Sequence, residues 1–174
     1  RLDEKSAHKL DEHRTSTSQN YDLAIVVVDG LSSLAIEQNT LPFLKALSSH
    51  IKDWSIAPMC FVRQGRVAIG DDVCERLNAK CVLVLIGERP GLSSPDSLGL
   101  YLTWGGRVGF TDAYRNCISN IRPAGLVYQE AARKAFYLLN EARTLKLSGV
   151  KLKDRSDDDL IMDTSKESKN FLIS

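Results

Sequence analysis

The chain has 174 residues, of which 43% are hydrophobic and 26% charged, a mixture that suits one soluble globular domain with a sizeable core. Its formal net charge of +1 leaves no basic footprint for nucleic acid, and no apolar run approaches the length of a membrane span. Residues 1–14 are charged and lack an apolar h-region, so no secretory signal is expected. The absence of an initial Met fits a truncated sequence, or one numbered from inside a longer polypeptide.

Residues 1–20 are expected to form a polar extension with a frayed helix. The run Leu23-Ala24-Ile25-Val26-Val27-Val28 is apolar without alternation, as in a strand buried on both faces of a parallel sheet. It stops at Asp29-Gly30-Leu31-Ser32-Ser33, a turn followed by helix-start residues. The helix that follows is expected to break before Pro42, with a second short helix from there carrying Leu44 and Leu47. Residues 54–62 read as the next strand and Arg63-Gln64-Gly65-Arg66 as a polar loop. Asp71 and Asp72 open a helix that runs to Leu77. Cys81-Val82-Leu83-Val84-Leu85-Ile86 is the second continuous apolar strand, ending in Gly87-Glu88-Arg89-Pro90-Gly91. Residues 98–104 read as a further strand, Gly105-Gly106 as a turn and 115–121 as irregular. From Leu126 to Leu147, Val127, Ala131, Ala135, Leu138, Ala142 and Leu145 fall on one helical face, with Gly149 as the expected C-terminal cap. Residues 151–174 read as a charged tail without order.

This order of strands and helices predicts an α/β fold: a Rossmann-like three-layer domain over 21–150, with a mostly parallel sheet and flanking helices. Ligands in such sheets bind beyond the carboxyl ends of the strands. The loops at 29–33, 63–66 and 87–91 are therefore expected on one rim, which 115–120 could join. In the 87–91 loop, two glycines allow close backbone approach to a ligand, Glu88 offers an acceptor and Arg89 a fork of donors. The same residues equally make a tight turn with a surface ion pair, and neither the dinucleotide fingerprint nor the P-loop spacing is present. The 63–66 loop reads either as a solvated loop or as a rim with cations beside apolar Val67.

Four cysteines, Cys60, Cys74, Cys81 and Cys117, contain no C-x-x-C pair and are expected as reduced thiols of a cytoplasmic protein. Arg115 beside Cys117 could lower that thiol's pKa. No histidine lies in a rim loop, however, so a packed or ligand-contacting thiol is favoured over a nucleophile. Asp157-Asp158-Asp159 lacks the spacing of a calcium loop. With no acid, base or nucleophile set, the pattern suits a binding subunit whose partner supplies the chemistry.

Four segments in order, Val28-Asp29-Gly30-Leu31-Ser32, Phe61-Val62-Arg63-Gln64-Gly65-Arg66-Val67, Gly87-Glu88-Arg89-Pro90-Gly91-Leu92 and Asn116-Cys117-Ile118-Ser119-Asn120-Ile121, resemble the light chain of ethanolamine ammonia-lyase. The resemblance covers about 21–150. It implies a bacterial enzyme of two kinds of subunit, assembled into a higher hetero-oligomer. That enzyme uses adenosylcobalamin to convert ethanolamine into acetaldehyde and ammonia. It implies that the large (heavy) subunit holds the substrate, and that this chain carries no catalytic residue, is an ammonia-lyase subunit inactive alone, and contacts the cofactor through Val67, Glu88 and Cys117. No metal ligand is implied. A chain that ligates cobalt through its own histidine carries D-x-H-x-x-G, whereas the residues three beyond His8, His13 and His50 are Asp11, Ser16 and Asp53. The family often works inside a bacterial microcompartment. Against its pattern, the segment usual before Arg1 is absent from this sequence, Phe110 and Tyr114 stand in a normally more polar stretch, and 154–174 matches nothing familiar. The competing expectations are a non-catalytic structural or regulatory partner subunit of the same fold and a stand-alone enzyme with Cys117 as nucleophile.

Overall fold

In a computed structural model, which describes residues 1–17, 19–88 and 95–156, the chain folds around a five-stranded mixed sheet with helices on both faces. The elements run α1 (Glu4–Thr17), β1 (Tyr21–Val28), α2 (Ser33–Ser48), β2 (Cys60–Val62), α3 (Ile69–Arg76), β3 (Ala79–Gly87), β4 (Leu98–Trp104), β5 (Arg115–Ile121) and α4 (Tyr128–Leu145), with short 3-10 turns at Asp112–Tyr114 and Gly149–Lys151. The strand order is β2-β1-β3-β4-β5. The continuous apolar runs of β1 and β3 lie side by side and parallel, Leu23 beside Cys81 and Val28 beside Ile86. Successive side chains of each point to opposite faces. Leu23, Ile25, Val27, Cys81, Leu83 and Leu85 join Leu98, Leu100 and Leu102 under α2 and α4. Ala24, Val26, Val28, Val82, Val84 and Ile86 pack under α3 with Val73 and Leu77. Outside α3 lies α1, tied to it by Arg76 Nη1 donating to Asp11 Oδ2 at 2.6 Å and by Leu2 N donating to Asp72 Oδ2 at 3.0 Å.

The expectation of a mostly parallel, Rossmann-like sheet is corrected. β1 pairs parallel with β2 and β3, but β4 is antiparallel to both β3 and β5. Residues 88–97 are too few for a parallel crossover, which takes about a dozen or more, so β4 must return alongside β3. Residues 105–114 likewise hold only a 3-10 turn.

Other boundaries also move. α2 is one helix through Pro42, because Ala35, Asn39, Phe43 and Leu47, four apart, are all buried on one face and outweigh the missing N–H. The expected strand 54–62 shrinks to Cys60–Val62: Pro58 has no amide to donate, and Ile56 makes only a single bridge with Leu23. Residues 115–121 are a strand, not irregular, because pairing with β4 overrides their weak propensity; a register shift opposite Leu98 and Leu100 absorbs the misfit. α4 ends on Lys146 in a left-handed conformation (φ 55°), while Gly149 begins the following 3-10 turn. The exposed ends of its expected apolar face, Val127 and Leu145, bracket buried Ala131, Ala135, Leu138 and Ala142. The folded part reaches beyond Val150, since Leu152 and Ser156 are buried; residues 157–174 of the expected tail, with the Asp157 run, lie outside the described residues.

Candidate functional site

The carboxyl ends of β1, β2 and β3 are stitched together through their loops. Gly30 takes a left-handed conformation (φ 61°) and lies so close to β3 that a Cβ there would overlap the Gly87 carbonyl oxygen and Ile86 Cγ1. This lets Leu31 N donate to Gly87 O at 3.0 Å. Asp29 Oδ2 accepts from Gln64 N at 2.9 Å, and Arg66 Nη1 donates to Gly30 O at 3.2 Å. Ser32 caps α2 by accepting from Ala35 N at 3.2 Å. The 29–33 loop therefore meets the end of β3, and the 63–66 loop meets the 29–33 loop, so the three strand ends share one rim. Of the 87–91 loop, Gly87 and Glu88 are on this rim, and 89–91 lie outside the described residues.

Glu88 leaves β3 and folds back over β4. Its Oε2 accepts from Ser97 Oγ, in a short hydrogen bond, and from Asn120 N at 3.2 Å, which brings the end of β5 to the same rim. Its Oε1 sits 2.9 Å from where a Gly99 Cβ would be, so the missing side chain of Gly99 is the space that the carboxylate occupies. Among the described residues, Oε1 has no hydrogen-bond donor of its own. Tyr101 follows two residues along β4 on the same face, directly opposite Cys117 of β5. Tyr101 is half-buried and Cys117 exposed. Burial, and then the contact with Cys117, pushes the Tyr101 phenol up to about 12, so it stays protonated.

Val67 lies in the turn before α3, half-buried on the cluster formed by Val28, Val84 and Ile86. Tyr101 packs against that cluster too. Of the three expected contact residues, Glu88 and Cys117 thus come together around Tyr101, and Val67 shares their sheet face from the α3 side. Beside the 63–66 loop, a cleft of about 710 Å³ opens between α1, β2 and α3, lined by Arg63, Gln64, Arg66 and the exposed ring of Phe61.

Arg115 is engaged elsewhere and is not free to lower the Cys117 pKa. Its side chain and that of Asp71 are each 2% exposed and form a two-pronged pair, Nη1 to Oδ1 at 2.8 Å and Nη2 to Oδ2 at 2.7 Å. Nε donates to Asp112 Oδ1 at 3.1 Å, Nη1 also to Thr103 Oγ1 at 3.3 Å, and Nη2 also to Phe110 O at 3.0 Å. All five guanidinium hydrogens are thereby used. The Cys117 thiol moves the other way, above its ordinary pKa: surrounding protein raises it and Glu88 adds to that, opposed by Tyr101. A raised thiol pKa removes the basis for reading Cys117 as a nucleophile. Among the described residues no group of His, Cys, Asp and Glu could hold a metal ion, and no helix is long and apolar enough to cross a membrane.

Tyr101, Ser97, Asp71 and the full role of Arg115 escaped the sequence reading. The one available signal is period two, which puts Tyr101 and Thr103 on one face of their strand and Arg115 and Cys117 on one face of the next.

The family described as ethanolamine ammonia-lyase light chain (EutC) matches residues 1–153. An ethanolamine ammonia-lyase small subunit of Pseudomonas aeruginosa (strain UCBPP-PA14) is 53% identical over 175 residues, covering 99% of this chain and 64% of the relative. The one from Xanthomonas campestris pv. campestris (strain B100) is 54% identical over 179 residues, with 99% and 65% covered. That from Pseudomonas fluorescens (strain SBW25) is 50% identical over 183 residues, with 100% and 64% covered. The chain spans just under two thirds of the length of these curated relatives. The match runs through the rim loops, the Glu88–Tyr101–Cys117 face and the buried Asp71–Arg115 pair, and the chain belongs to the ethanolamine ammonia-lyase light-chain family.

Proposed function

We propose that this chain is the small subunit of an adenosylcobalamin-dependent ethanolamine ammonia-lyase. In this reading it lines part of the cofactor site while the large subunit holds the substrate, and the two assemble into a hetero-oligomer. The observation that supports this most is the placement of Glu88 and Cys117 on either side of Tyr101, on a stretch of sheet that leaves Cys117 exposed.

The residues fit the group. A corrin is a broad disc with apolar faces and a fringe of amides. Glu88 Oε1, held by Ser97 and Asn120 through its other oxygen, is a fixed acceptor for an amide N–H. Val67 and the Tyr101 ring offer apolar surface, and Cys117 lines an edge with a thiol that stays protonated at neutral pH. The bound cofactor supplies the radical chemistry that converts ethanolamine to acetaldehyde and ammonia. The work of this chain is to orient and shield, and it carries no acid or base for the substrate. We place it in the cytoplasm, with residence in a bacterial microcompartment as the family habit. The other reading, a non-catalytic structural partner, has no particular feature of the fold in its favour.

The test is coexpression with a large-subunit gene, then an acetaldehyde assay on ethanolamine and adenosylcobalamin with each subunit alone and both together. Activity is expected only from the pair. Activity of the large subunit alone equal to that of the pair would leave this chain a structural partner, as would a complex that takes up no cobalamin.

A further inference from the structure

We infer that the buried Asp71–Arg115 pair is a positioning clamp that sets the spacing between the Val67 turn and the Cys117 strand, and so the shape of the cofactor-contacting face. This rests on the cofactor reading above, and it assigns roles to two residues that do not touch the ligand.

The pair joins two separate pieces of that face. Asp71 lies in the first turn of α3, four residues after Val67; Arg115 starts β5, two residues before Cys117 on the same side of the strand. Nothing in the local chain links these pieces, which are 44 positions apart. The guanidinium bridges them with a planar fork, and its remaining hydrogens reach Thr103 of β4 and the 110–112 segment. A planar fork fixes distance and angle together, which a lysine ammonium cannot do. A buried ion pair is also a poor source of stability compared with apolar residues of the same size. Its gain here is geometric: both charges are fully satisfied in one arrangement only. Thr103, opposite Arg115, and Tyr101, opposite Cys117, share one face of β4, so a shift of Arg115 carries Cys117 away from Tyr101.

The test uses the coexpressed two-subunit complex with Arg115→Lys and Asp71→Asn, and with Leu138→Ala as a core truncation on the opposite sheet face. Two quantities are read at a temperature where each is folded by circular dichroism: the alkylation rate of Cys117, resolved by peptide mass spectrometry, and the Kd for adenosylcobalamin from absorbance. Both clamp variants are expected to change the Cys117 rate by about threefold or more and to weaken cobalamin by roughly tenfold to a hundredfold, as misplacement of a supporting group does. Leu138→Ala is expected to leave both at wild-type values. A folded clamp variant with an unchanged Cys117 rate overturns the inference, as does a changed rate with unchanged Kd, or a Leu138→Ala that moves both equally. If the wild-type complex takes up no cobalamin, the cofactor reading fails by itself and the alkylation rate still decides whether the clamp places Cys117. Should the single variants not fold, Arg115→Met combined with Asp71→Leu removes both charges, and wild-type alkylation of Cys117 in that double variant overturns the inference.

Discussion

The close approach of Gly30 to β3 gives the sharpest energetic test of how the rim is built. Gly30 and Gly105 have nearly the same left-handed backbone, φ 61° and 59°, but a Cβ at Gly105 meets nothing within 4 Å. At Gly30 it would overlap the Gly87 carbonyl and Ile86. Alanine in a left-handed conformation costs about 1–2 kcal/mol, partly offset by about 0.4–1 kcal/mol from the stiffer unfolded chain. Gly105→Ala should therefore lose only about 1 kcal/mol. Gly30→Ala carries the same penalty plus overpacking of about 1–3 kcal/mol. At about 2–4 °C per kcal/mol for a domain of this size, it should melt several degrees below Gly105→Ala. Thermal unfolding followed by circular dichroism, with denaturant titration for the free energies, measures the difference. Equal losses in the two variants would refute the reasoning, since they would mean that the loop shifts freely and that the rim is not fixed by its contact with Gly87.

Arg115→Met should destabilise by about 3–5 kcal/mol, because it leaves the Asp71 carboxylate buried and alone; adding Asp71→Leu should restore most of the loss, and both are read by denaturant unfolding. Gly99→Ala presses on Glu88 from Cγ to Oε1 against its bonds to Ser97 and Asn120, so it should cost about 1–3 kcal/mol in unfolding and weaken adenosylcobalamin binding by the complex. Alkylation of Cys117 should be slower than that of free cysteine at pH 7 and rise about tenfold per pH unit through the neutral range, because its raised pKa keeps the thiolate scarce. A flat pH profile would contradict that raised pKa. Cys74, pushed up to about 12, and the fully buried Cys81 should stay unmodified until the chain unfolds.

The residues whose environment is set by their own segment were readable in order. The apolar runs of β1 and β3 lack alternation because both faces are covered, and that is visible in a single strand. The turn at Asp29-Gly30 and the four-residue spacing in α4 are equally local. What escaped is non-local. β5 carries Asn116, Ser119 and Asn120, which do not favour a strand, and only the ladder with β4 makes it one. The direction of β4 follows from what lies between the strands, not from the strands themselves. Asp71 looks like an ordinary acidic helix start, and Arg115 like a loop cation, until folding brings them to 2.7 Å. Glu88 stands out by its motif, but Ser97, just before β4, and Gly99 and Tyr101 within it, which hold or flank it, belong to a stretch that reads as plain core.

Central to the proposed function is a cofactor lying across the sheet face that exposes Cys117. The direct measurement is the alkylation rate of Cys117 in the assembled two-subunit complex, with and without saturating adenosylcobalamin. The bound cofactor is expected to shield the thiol, so that the rate falls to background. Cobalamin bound by absorbance, with the Cys117 rate unchanged, would contradict it.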